Sequence, residues 1–109
     1  MEGFWTVQFQ GVQGMGAGVI TLVGGQLFGG DSAFLYKGTY SQHGDILTAQ
    51  VQVNRYAAGT GSVMGRDQFA LELTGTIQGN SGNLTGAVPG TPLKFSATTT
   101  KQGDLPVKP

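Results

Sequence analysis

Leu47-Thr48-Ala49-Gln50-Val51-Gln52-Val53-Asn54 decides the fold class. Apolar residues hold every odd position and polar residues every even one, the two-residue period of a strand with one face in a core and the other in water. A helix would scatter the same side chains around its whole circumference. The period recurs on both sides of this stretch. Phe34, Tyr36, Gly38 and Tyr40 alternate with Lys37, Thr39 and Ser41, and Phe69, Leu71, Leu73, Gly75 and Ile77 alternate with Gln68, Glu72, Thr74 and Thr76. Near the end, Leu93, Phe95 and Ala97 alternate with Lys94, Ser96 and Thr98. No window carries an i, i+3, i+4, i+7 apolar stripe, so little or no helix is expected.

Turn signals separate these runs: Gly24-Gly25, His43-Gly44, Gly79-Asn80-Ser81-Gly82 and Pro89-Gly90-Thr91. Strands are predicted at 3–10, 16–23, 26–29, 33–42, 45–56, 67–78, 83–88 and 92–100, with a longer loop at 57–65. Residues 1–100 form one domain in this reading, and 101–109 an irregular C-terminal tail. Short turns can join only antiparallel neighbours, so eight such strands make a small antiparallel up-and-down β-barrel. Closing it needs bends. Glycine supplies 20 of the 109 residues, well above the ~7% of average proteins, and Gly18, Gly38, Gly75 and Gly86 fall inside predicted strands.

Composition narrows the function classes. A chain of 109 residues suits one core. Without cysteine it makes no disulfide, thiolate zinc site or Cys nucleophile. Six Lys and Arg balance six Asp and Glu, and the basic residues are scattered, which disfavours direct nucleic-acid binding. Charged residues make up only 11%, against ~25% in average proteins, and a neutral, charge-poor surface favours association, here a homodimer or a protein partner. The first residues lack a basic segment followed by an apolar one, and no apolar run reaches the ~20 residues of a membrane span. A cytoplasmic protein without membrane contact is the expectation.

An enzyme is not expected. His43 is the single histidine and precedes a glycine in a turn, and Asp31, Asp45, Asp67, Glu72 and Asp104 lack the spacing of a calcium loop. No metal and no cofactor is anticipated. The glycine pairs have no Gly-Lys-Ser/Thr and no helix start, so they read as turns, not phosphate loops.

Two sets of residues are candidates for binding. Trp5, Phe34, Tyr36, Tyr40, Val51, Val53, Phe69 and Leu71 share the inward parity, and the tyrosine hydroxyls could orient the polar end of a small apolar ligand. The plainer expectation is that these side chains fill a shallow interior with little spare volume. Gly29-Gly30-Asp31-Ser32 is an irregular corner in which Asp31 caps its own backbone. Together with His43, Asp45 and Arg55 it is a candidate partner-binding or structural corner, with Asp31 paired to Arg55. The 19–23 stretch is apolar on both parities, which suggests cover by a second subunit or by the tail.

Gly3-Phe4-Trp5 resembles the Gly-x-Trp opening of lipocalin barrels. Gly29-Gly30-Asp31, continuing through Tyr36, Gly38 and Ser41 to Asp45 and then Arg55-Tyr56 and Ser62-Val63, resembles the GrlR family, bacterial negative regulators of type III secretion genes. That resemblance implies a lipocalin-like small barrel, a cytosolic homodimer and repression by binding a transcriptional activator instead of DNA. Of the acidic run that the family carries on the hairpin at 41–45, Asp45 is the one match. A regulatory, protein-binding barrel is the leading expectation, and a carrier or sensor of a small apolar ligand the alternative.

Overall fold

Eight antiparallel strands close on themselves in chain order in the computed structural model, which describes residues 2–11, 14–58 and 66–105. They are β1 (Gly3–Gly11), β2 (Gly14–Val23), β3 (Gln26–Gly30), β4 (Phe34–His43), β5 (Ile46–Arg55), β6 (Gln68–Gln78), β7 (Ser81–Ala87) and β8 (Lys94–Gly103). β1 and β8 pair to seal the barrel, and no helix occurs among the described residues.

The alternation of β5 sets the register. Val53 lies opposite Tyr36 and Phe69, and Val51 opposite Gly38 and Leu71, while Thr48, Gln50 and Gln52 point to solvent. A slip of one residue would bury those amides, so burial of one face specifies the pairing. Trp5 and Leu22 are wholly enclosed, and Leu27, Leu47, Ile77 and Leu84 complete an apolar interior. Each such side chain contributes about 1.5–3 kcal/mol relative to exposure. Gly38 and Gly75 let the sheet coil: a Cβ at either would run into the carbonyl of Gln50 or Asn83 on the neighbouring strand.

The two ends differ. At one, the floor, three two-residue turns join the strands. Gly24 and Gly25 both have positive φ (57° and 79°), the type I′ pattern, whereas Gly44 (61°) and Gly79 (62°) supply the first central residue of II′ turns. At the other end, the mouth, the connections at 31–33, 56–67 and 88–93 are longer.

β2 and β7 each begin two residues earlier than the alternation suggests, and the tail starts later. β8 continues through Lys101–Gly103, which was expected to be irregular. The reason is the Lys101 stem. It is inward in parity opposite Trp5 and lies against Gly3, while its ammonium reaches out to Asp104 at 2.5 Å. Ser62-Val63, most of the loop at 57–65 and the last four residues lie outside the described residues.

Candidate functional site

The interior is not completely filled. A cavity of about 220 Å³ lies inside the barrel, and its lining includes Trp5, Phe34, Tyr36, Val51, Val53, Phe69 and Leu71, seven of the eight residues expected there. The core is filled less completely than expected: Ala49 and Ala97 are small residues on the inward wall of this cavity. The lining comes to the surface at the mouth, through Met15 and Ser32, both exposed.

The eighth residue, Tyr40, packs against the core but does not line this cavity. β3 meets β4 only as far as Gln26 opposite Thr39, so Tyr40 stands one residue beyond that pairing, with only the Gly25 carbonyl as acceptor for its backbone N–H at 2.9 Å. It borders a wide, open depression of about 1090 Å³ shared with Ser41, Thr48 and Gln50. Partial burial raises its phenol pKa. Although larger, that depression is wide open, and its walls mix hydroxyls, amides and the charged Glu72 and Lys94 with half-buried Leu73 and Phe95.

The β3–β4 corner forms the rim of the interior cavity. Asp31 Oδ1 accepts the N–H groups of Ala33 (2.9 Å) and Phe34 (2.8 Å), so Asp31 caps its own turn as expected. Its Oδ2 accepts the Tyr36 hydroxyl through a short bond. The Asp31 carbonyl accepts the Tyr56 hydroxyl at 2.6 Å, and the Tyr56 N–H donates to the Ala33 carbonyl at 2.8 Å, tying the corner to the end of β5. Burial, then the bond to Asp31, raises the Tyr36 phenol far above its ordinary range, so Tyr36 stays a neutral donor.

Tyr36 fits there because β2 gives way. A Cβ on Gly18 would sit 2.8 Å from the Tyr36 hydroxyl oxygen, and one on Gly16 would sit 2.6 Å from the Phe9 ring. The two glycines admit an aromatic row below the mouth. Phe9 meets Tyr36 edge to face (6.4 Å, 83°) and stacks on Phe95 (5.7 Å, 26°).

Arg55 does not pair with Asp31. Its Nε donates to Asp67 Oδ1 at 2.8 Å, and its guanidinium lies over the Phe34 ring, 4.6 Å from the centroid. Register explains the choice: the Arg55 N–H already donates to the Asp67 carbonyl at 2.8 Å, which brings the side chains together at the β5–β6 junction. Nor does the proposed corner hold as one group. Gly29, Gly30, Asp31 and Ser32 stand at the mouth with Arg55 on the adjacent strand end, but His43 and Asp45 belong to the floor hairpin at the far end of β4.

The sequence reading missed Thr99. It is 3% exposed, lines the cavity from β8, and its Oγ1 is the one buried side-chain polar atom without a hydrogen-bond partner among the described residues. The parity of Phe95 and Ala97 already pointed it inward, but it sits in Thr98-Thr99-Thr100, where identical residues hide the alternation. Compared with known proteins, the chain matches no family model and no curated protein.

Proposed function

We propose that this chain is a non-enzymatic binding barrel that takes a small, largely apolar ligand in its interior. The observation carrying the reading is the 220 Å³ cavity, walled by apolar side chains and reaching the surface beside hydrogen-bonding groups at Asp31, Ser32 and Tyr36. Apolar walls with a few placed polar groups are the usual chemistry of small-molecule sites. The size is adequate: an apolar cavity of ~150 Å³ holds benzene, so this one suits about nine or ten non-hydrogen atoms. Calorimetry with naphthalene tests the reading. Wild type should bind one equivalent, and Ala97→Leu, which adds bulk to the cavity wall, should lose binding while remaining folded. A wild-type protein that takes up no naphthalene or comparable apolar probe would sink the proposal.

The outer face favours a second reading, the regulatory, protein-binding barrel that the GrlR resemblance implies. Val19, Phe28 and Leu35 are 40–45% exposed on β2, β3 and β4, with Val19 and Leu35 both registered to Gly30. Apolar side chains gathered on one sheet face suit association of two copies, and the absence of net charge on the chain does not oppose it. Sedimentation at tens of micromolar should then show a dimer that Phe28→Ser dissociates. A wild-type monomer at that concentration would count against it.

A further inference from the structure

We infer that the ligand is a small neutral apolar molecule with one hydroxyl or carbonyl group, and that Thr99 is the residue that recognises that group. The inference rests on the interior-binding reading and adds the ligand's chemical class and the atom that selects it.

Thr99 stands on β8 between Val7 of β1 and Gly82 of β7. Its hydroxyl is buried beside Gly82, where a Cβ would sit 3.1 Å from it, at the wall of a cavity lined also by Trp5, Val7, Ile77 and Leu84, and it meets no donor or acceptor among the described residues. Leaving a buried hydroxyl unpaired costs its full desolvation. Valine has nearly the same shape and would avoid that cost, so the sequence carries a penalty here that a partner inside the cavity would remove. Water is a poor candidate for that partner. A buried water needs two to four polar contacts, whereas Thr99 offers a single unused group, the other polar side chains of the lining being Ser32, exposed at the mouth, and Asp31 and Tyr36, already bonded to each other.

The charge of the ligand follows from the rest of the lining. Asp31 is the carboxylate at the mouth, and no Lys or Arg lines the cavity among the described residues. An anionic head group would meet a like charge at the rim and no counter-ion within, and an unpaired buried ion is far costlier than an unpaired hydroxyl. A cation has no partner within either: Asp31, the one carboxylate of the lining, stands at the mouth, so a positive charge taken into the interior would be buried unpaired. What remains is an uncharged molecule. A threonine hydroxyl both donates and accepts, so an alcohol, a phenol or a ketone satisfies it.

Calorimetry with three probes on one ring system separates the outcomes: naphthalene, 1-naphthol and 1-naphthoate at pH 7, each against wild type, Thr99→Val and Thr99→Ser. The 1-naphthol to naphthalene affinity ratio should fall about tenfold in Thr99→Val, the loss of one hydrogen bond, and stay near the wild-type value in Thr99→Ser. Naphthalene should bind Thr99→Val at least as well as wild type, which also shows that the variant is folded. 1-Naphthoate should not bind. An unchanged ratio in Thr99→Val, or naphthoate binding as well as naphthol, overturns the assignment to Thr99 while leaving interior binding intact. Failure of all three probes on wild type overturns both.

Discussion

The Tyr36 hydroxyl donates to the Asp31 carboxylate, so the residue that shapes the β3–β4 corner and a residue that walls the cavity form one hydrogen-bonded unit. Folding of the rim and construction of the site are therefore the same event. Substitutions in this unit should change stability and binding together.

The pair makes stability fall in alkali. Burial and the bond to Asp31 raise the Tyr36 phenol from its ordinary value of 10.0, so the folded state holds that proton more tightly than the unfolded chain does. The stabilisation is fully present below pH 10 and is lost as pH rises above it, because the unfolded phenol ionises first. Urea midpoints should hold between pH 7 and 9 and then decline. Tyr36→Phe should lower stability at pH 7 by about 1.5 kcal/mol and flatten most of the decline, Tyr40 supplying a smaller remainder through its own raised pKa. A full alkaline decline in Tyr36→Phe would contradict this.

Gly18 is coupled to Tyr36 by space. A methyl group there would lie 2.8 Å from the hydroxyl oxygen, and overpacking of that kind costs about 1–3 kcal/mol. Gly18→Ala should therefore destabilise the fold. Part of the cost should vanish in Tyr36→Phe, which lacks the oxygen, so a double-mutant cycle should give a non-zero coupling. Simple additivity would show that Gly18 serves the backbone alone.

Thr99→Val should stabilise the ligand-free protein. Removing an unpaired buried hydroxyl without changing its shape is worth about 1 kcal/mol, or roughly 4–6 °C in Tm for a domain of this size. A variant that melts below wild type would show that the hydroxyl is paired inside the folded chain.

Two aspartates should respond very differently to removal. Asp67 is 74% exposed, so its bond to Arg55 is weakened by solvent, and Asp67→Ala should cost less than about 1 kcal/mol and less still in high salt. Asp31→Ala strips the acceptor from two backbone N–H groups and from Tyr36, and should cost more than about 2 kcal/mol. Comparable losses in chemical denaturation would refute this ordering.

The period-two pattern of β5 was enough to read the strand, its inward face and the barrel it belongs to, because burial on one side leaves a direct trace in the order of residues. The capping role of Asp31 was legible for a similar reason: an Asx turn is local. Pairings across strands were not. Arg55 met Asp67 instead of Asp31 because register decides which side chains become neighbours, and one sequence does not print its register. Tyr40 kept the inward parity yet missed the cavity, since β3 ends before it. The unfilled volume was hidden as well. It depends on how Ala49 on β5 and Ala97 on β8, far apart in sequence, come to wall the same space, and Thr99 was masked by its identical neighbours.

Seven of the eight strand pairings join consecutive strands, and the eighth joins the first to the last, bringing Phe4 opposite Gly103. The consequence is kinetic. Hairpins closed by two-residue turns can form early from local contacts, but the β1–β8 seam must wait for nearly the whole chain to be in place, and contacts so distant in sequence slow folding. Substitutions along the seam, such as Val7→Ala opposite Thr99, would mainly accelerate unfolding if that seam forms after the transition state. Zipping of that one junction would then set how long the barrel persists once formed.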